Sequence, residues 1–138
     1  MFQNKDIIYP ELSYKISGIL FGVRKNLGRY KNEKQYSDAI EEELKKNNID
    51  YEREKVLPES FDGEQKGRNK VDFLIENSIV LEIKAKPFIT KEDYFQVRRY
   101  LDSLNKKLGI LSNMRQYYIN PKRVLNSNIS HDSHGGSH

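Results

Sequence analysis

The run Lys70-Val71-Asp72-Phe73-Leu74-Ile75, the polar turn Glu76-Asn77-Ser78 and the run Ile79-Val80-Leu81-Glu82-Ile83-Lys84-Ala85-Lys86 decide the fold of this chain. Both runs are rich in β-branched and apolar residues, and the short turn between them predicts a β-hairpin. Side chains alternate faces along a strand. Leu81, Ile83 and Ala85 therefore share one face of the second strand, and Glu82, Lys84 and Lys86 share the other. On the first strand Val71, Phe73 and Ile75 oppose Lys70, Asp72 and Leu74. Closing the hairpin brings Asp72 beside Glu82 and Lys84.

Before the hairpin the hydrophobic period is helical. Leu12, Ile16, Ile19, Leu20, Val23 and Leu27 recur at spacings of three and four, predicting a helix from Pro10 or Glu11 that ends at Gly28. A second helix is predicted from about Lys31 to Asn47, with Tyr36, Ile40 and Leu44 as its stripe. Tyr51–Leu57 reads as a strand and 58–69, with Gly63 and Gly67, as a loop. Beyond Pro87, Thr90 and Asp93 make a capping pair for a helix carrying Val97, Tyr100, Leu101 and Leu104. Leu108–Met114 is a short apolar strand, and Lys122–Leu125 is a candidate edge strand.

The order α-α-β-β-β-α-β, with a possible last strand, predicts an α/β fold: a small mixed sheet flanked by helices. The expected organisation is one domain over 1–126 and a disordered His/Ser/Gly tail over 127–138. The three histidines of that tail suit either a solvated tail or the binding of stray divalent metal. Gly18 and Gly22, four apart on the first helix, suggest tight packing inside the chain or across a homodimer.

The chain has 138 residues, of which 36% are hydrophobic and 32% charged, so a compact core is expected. A formal charge of +4 permits an anionic partner without demanding one. With no cysteine, disulfides, zinc–thiolate sites, iron–sulfur clusters and thiol nucleophiles are excluded. No apolar run is long enough to span a membrane and no secretory signal is visible, so a cytoplasmic location is expected.

The chemistry lies in the acids. Two carboxylates held close together repel, and a hard divalent cation relieves the repulsion; Mg²⁺ takes oxygen ligands and retains waters. A lysine beside such a cation suits attack on a phosphodiester, because its ammonium stabilises developing negative charge. Asp72, Glu82 and Lys84 fit that pattern, although the wet face of a surface hairpin carries the same residue types. Glu33 extends the Tyr36, Ile40, Leu44 stripe by helical spacing. A carboxylate on a core-facing stripe needs a partner or a metal; the alternative is an acid placed at a helix N-terminus for its dipole. Gln96 and Tyr100 share a helix face and are able to hold a phosphate, or Tyr100 belongs to the core.

Asp72, Glu82-Ile83-Lys84 and Gln96-x-x-x-Tyr100, in this order, resemble the PD-(D/E)XK nuclease superfamily and the Gln-x-x-x-Tyr element of its RecB-like branch. More closely, Leu27-Gly28-Arg29-Tyr30-Lys31-Asn32-Glu33-Lys34-Gln35-Tyr36 resembles the opening of the GxxExxY family, a group within that superfamily. Here Tyr30 stands at the motif's first Gly. Leu108-Gly109-Ile110-Leu111-Ser112-Asn113 and Lys122-Arg123-Val124 extend the likeness, which covers about residues 6–125. The resemblance implies a restriction-endonuclease-like core with helices on both sheet faces, and a site of Glu33, Asp72, Glu82 and Lys84 with Gln96 and Tyr100 around it. It implies that Asp72, Glu82 and the carbonyl of Ile83 hold Mg²⁺, with Mn²⁺ as a substitute. Lys84 would then activate water, Glu33 would hold a second metal or a water, and Tyr36 would pack.

The function expected is a Mg²⁺-dependent nuclease acting on DNA. The alternatives are a non-catalytic nucleic-acid-binding or accessory protein that keeps the fold, which the small size favours, and a protein-interaction module whose acids and lysines are surface ion pairs. Lys66, Arg68, Lys70, Lys86, Lys91, Arg98 and Arg99 flank the acids and either contact phosphates or are simply solvated. Glu41, Glu42 and Glu43 are expected on the exposed side of the second helix.

Overall fold

The computed structural model describes residues 8–65, 67 and 69–126. The tail over 127–138 and the basic residues Lys66 and Arg68 lie outside them. Helix α1 spans Pro10–Leu27, with Pro at its start, and stops where Gly28 takes a φ of 77° and donates its N–H to the Arg24 carbonyl. Helix α2 spans Glu33–Lys46. It begins two residues later than the sequence suggests because Asn32 caps it: the Asn32 side chain accepts from the Gln35 amide and the Gln35 side chain accepts from the Asn32 amide.

Strands β1 (Tyr51–Val56), β2 (Lys70–Ile75) and β3 (Ile79–Lys84) follow, then helix α3 (Lys91–Leu104), β4 (Leu108–Asn113) and β5 (Lys122–Leu125). The strands lie side by side in chain order, β1-β2-β3-β4-β5. Pairing is antiparallel except between β3 and β4, which α3 connects as a parallel crossover. The Thr90–Asp93 capping box at the start of α3 forms as the sequence predicts.

One sheet face carries α1 and α2. Ile16, Leu20, Tyr36 and Ile40 pack there on Phe73, Leu81, Ile83 and Ile110. The opposite face carries α3, with Val97 and Leu101 on Val80, Leu111 and Val124. Full burial of each such side chain stabilises the fold by about 1.5–3 kcal/mol. The sheet is therefore covered on both faces, and its central strand β3 is buried from Ile79 to Ile83. Helices on both faces of a mixed sheet are the architecture expected. Among the described residues no helix is long and apolar enough to cross a membrane.

The Gly18–Gly22 pair does not pack closely against the described residues. A Cβ at either position would meet nothing within 4 Å. The glycine that permits close approach is Gly109 on β4, where a Cβ would lie 2.7 Å from a Val97 methyl of α3. Glu41 also departs from the expectation of mere exposure: it accepts hydrogen bonds from Tyr51 Oη and Arg53, and so ties α2 to β1.

Because Val97 is β-branched and stiff, Gly109→Ala forces α3 away from the sheet. We expect a loss of about 1–3 kcal/mol in urea denaturation. Adding Val97→Ala to the same chain removes the clashing methyl and recovers much of that loss; strictly additive losses would contradict the contact.

Candidate active site

The antiparallel ladder between β2 and β3 runs from Ile75↔Ile79 to Phe73↔Leu81 and goes no further. The next opposed residues are Asp72 and Glu82, and their side chains take over. The Asp72 amide donates to Glu82 Oε2 at 2.7 Å. The Ile83 amide donates to Asp72 Oδ2, also at 2.7 Å. Each carboxylate thus fills the place of a ladder carbonyl on the other strand. The pairing of β1 with β2 passes over this level too, going from Arg53↔Phe73 to Lys55↔Val71. Glu54, opposite Asp72, has a φ of 54°, a left-handed conformation that a non-glycine residue adopts only at a cost.

This break corrects one expectation. Val71 does not join Phe73 and Ile75; it packs with Leu57, Leu74 and the α3 layer. Strict alternation ends at the level where the β2–β3 ladder stops and the β1 backbone is irregular at Glu54.

Glu82 is only 5% exposed. Burial, then the nearby Asp72 and Glu33 charges, push its carboxyl up to about 8, against the opposing pull of the Asp72 amide and Lys84. Asp72 is also raised, by burial and by Glu33, with the Ile83 amide and Lys84 acting against it. Tyr100 is pushed up to about 12 by burial and by the Glu82 and Asp72 charges. Asp72, Glu82, Lys84 and Tyr100 therefore act on one another as a cluster, and the Glu33 charge reaches both acids. Glu33 itself is exposed at the first turn of α2 and not on the buried stripe. Helical spacing extrapolates past the point where the helix leaves the core. Tyr36 is fully buried, donates to the Gly28 carbonyl and accepts from the Lys31 amide, fastening the α1–α2 turn.

The sequence reading gave Asp93 only a capping role. Asp93 is 7% exposed. It accepts from the Thr90 amide and hydroxyl while its oxygens lie 2.5 Å from Lys86 Nζ and 4.0 Å from Lys84 Nζ. Burial raises its carboxyl, but Lys86 and the Thr90 donors outweigh that and hold it below the usual range. Asp93 therefore aims Lys84 from the α3 side. Lys84 at the end of covered β3, with Lys86 two residues on, is the sequence signal for an anion nearby. Gln96, one turn before Tyr100 on α3, is half-buried. Of the flanking cations, Lys70 lies 3.9 Å from Glu54 and Arg99 lies 4.0 Å from Glu92, while Lys91 is exposed.

The donor set suits a hard cation. Asp72 Oδ1 and Glu82 Oε1 accept no hydrogen bond from the described residues, and neither is sealed from solvent. No third His, Cys, Asp or Glu joins them closely enough to complete a ligand group among the described residues. Two carboxylates with waters and main-chain oxygen to complete the shell are characteristic of Mg²⁺ coordination rather than of a dedicated protein cage.

Comparison with known proteins bears on the same residues. A family model described as the PD-(D/E)XK nuclease superfamily matches residues 10–124, a span that includes every residue of the cluster. No curated protein and no solved structure matches the chain. With most of its length matched by that family model, and with an acid pair and lysine gathered at the break in a mixed, helix-flanked sheet, the chain belongs to the PD-(D/E)XK nuclease superfamily.

Proposed function

We propose that this protein is a divalent-metal-dependent nuclease that hydrolyses phosphodiester bonds in DNA, and that it falls within the GxxExxY group. The observation that carries the reading is the reciprocal Asp72–Glu82 pair with Lys84 beside it. Asp72, Glu82 and the Ile83 carbonyl hold Mg²⁺ or Mn²⁺. The cation, when bound, polarises the phosphoryl oxygen and acidifies water at neutral pH. Lys84 orients the attacking water and stabilises charge that develops on the phosphate. Asp93 faces that ammonium from α3 at 4.0 Å. Glu33, at the exposed edge, holds a second cation or a water, while Gln96 and Tyr100 bound the phosphate from α3.

Purified protein with Mg²⁺ or Mn²⁺ is expected to cleave DNA. Lys84→Ala should slow the reaction by about a hundredfold or more, as for loss of one charge-stabilising donor, and Asp72→Ala should abolish it. Equal cleavage by wild type and Lys84→Ala would sink the proposal.

The metal also stabilises the folded state alone, because the unfolded chain cannot assemble the pair. Mn²⁺ at 100 times its Kd should add about 2.7 kcal/mol to stability, seen as a rise in Tm. Asp72→Asn or Glu82→Gln should remove most of that rise.

Without metal, Glu82 and Asp72 retain protons in the folded state that they lose in the unfolded chain. Both carboxyls are raised on folding, so the folded state binds more protons and stability falls with rising pH. The fall is expected to run from the ordinary glutamate value of 4.5 to about 8. Glu33 adds to it and Lys84 opposes it. Urea denaturation across this range should show the decline, and Glu82→Gln should flatten it.

A further inference from the structure

We propose that a groove beside the acid pair stacks an unpaired nucleobase and gives the protein a preference for single-stranded DNA; this rests on the nuclease reading above. The groove encloses about 630 Å³ and is lined in part by Arg29, Tyr30, Phe88, Asn113, Arg115 and Tyr117. Three of these are large rings left to water: Tyr30 is 73% exposed, Phe88 79% and Tyr117 67%. The Arg29 guanidinium lies 5.1 Å from the Tyr30 ring centroid and 5.4 Å from that of Tyr117. The Arg115 guanidinium lies 5.3 Å from the Tyr30 ring.

Neither arginine forms an ion pair with a carboxylate among the described residues. Arg53, by contrast, is held by Asp38 and Glu41, and Lys86 by Asp93. Uncompensated cations interleaved with exposed ring faces are the two components of a single-strand site: rings stack bases and guanidinium groups meet phosphates. A base within a duplex has both faces stacked on its neighbours, so only an unpaired base can lie on these rings.

The groove is built rather than incidental. Arg24 donates to the carbonyls of Met114, Gln116 and Tyr117, each at 3.0 Å, and Arg29 Nε donates to the Arg115 carbonyl at 3.0 Å. Asn113 bonds the Lys86 backbone in both directions, and the Met114 amide donates to the Lys84 carbonyl. The same contacts place the groove against the acid cluster. Tyr30 lies in the α1–α2 connection shortly before Glu33, Phe88 follows Lys86, and Asn113 pairs in register with Lys84. The groove therefore adjoins the end of β3 that carries Lys84, through Asn113. Tyr30 also stands where the GxxExxY motif has Gly, so this ring is a feature of this chain and not of the motif.

The test is fluorescence anisotropy in EDTA with labelled dT12 and with a blunt duplex of equal length. Wild type should bind dT12 about tenfold more tightly, and Tyr30→Ala or Tyr117→Ala should each weaken dT12 binding by about tenfold, in line with the loss of one base stack. Tyr30→Phe should retain binding, and duplex affinity should be unchanged in all three. An unaltered Mn²⁺-induced rise in Tm for Tyr30→Ala confirms that the acid site and fold are intact. Equal binding of dT12 and duplex, or wild-type dT12 binding by both alanine variants, overturns the proposal. Failure of the nuclease reading looks different: intact, tyrosine-dependent dT12 binding without cleavage in Mg²⁺ or Mn²⁺.

Discussion

The exchange of hydrogen bonds between Asp72 and Glu82 is the interaction on which the rest of this molecule turns. Two acids stand opposite each other where a β-ladder would ordinarily continue, and each satisfies the backbone amide that the missing ladder leaves open. One oxygen of each carboxylate is thereby fixed, and the other accepts no hydrogen bond from the described residues. The arrangement solves a polar-satisfaction problem and creates an electrostatic one. Burial raises both carboxyls, the Glu33 charge adds to the rise at each and the Asp72 charge adds to it at Glu82, and a cation is the simplest means of lowering them again.

The architecture around that pair explains why it holds. β3 is the middle strand, covered on both faces, and its parallel pairing with β4 holds Glu82, Ile83 and Lys84 in register with Leu111, Ser112 and Asn113. α3 docks through Val97 against Gly109 and delivers Asp93 to the lysines and Tyr100 to the acids. α2 begins beside the cluster because Asn32 and Gln35 stop it from starting earlier, which puts Glu33 at the edge. Apolar packing thus does the positioning, and the polar groups collect where the packing is interrupted. The rim is fastened differently: Arg24 and Arg29 hold the segment after β4 by its carbonyls, leaving Tyr117 and Arg115 turned outward.

Much of this was legible in the residues. Period-3.6 stripes located the helices, alternation and apolar runs located β1 to β4, Lys122–Leu125 was a candidate that proves to be β5, and the Thr90 cap and Gly28 stop follow from local backbone chemistry. The Asp72–Glu82–Lys84 grouping follows from alternation once the hairpin is drawn. Other features were not. Val71 changes layer at the level where the β2–β3 ladder stops, which strand periodicity does not reveal. Glu33 is exposed because the stripe it extends outlasts the core. Gly18 and Gly22 have the spacing of a packing motif, yet a Cβ at either would meet no described residue within 4 Å, while at Gly109 on β4 a Cβ would lie 2.7 Å from a Val97 methyl.

The amino-acid order by itself determined the elements, the two apolar layers and the presence of an acid–lysine motif, since these depend on near neighbours and on side-chain periodicity. Only the tertiary structure decided that the ladder gives way at Asp72, that Asp93 engages both lysines, and that Arg29, Tyr30, Arg115 and Tyr117 gather into one groove. Each of those facts joins residues from separate elements. Which of them meet is set by how the sheet twists and the helices seat, a balance of packing over the whole core that no local pattern encodes.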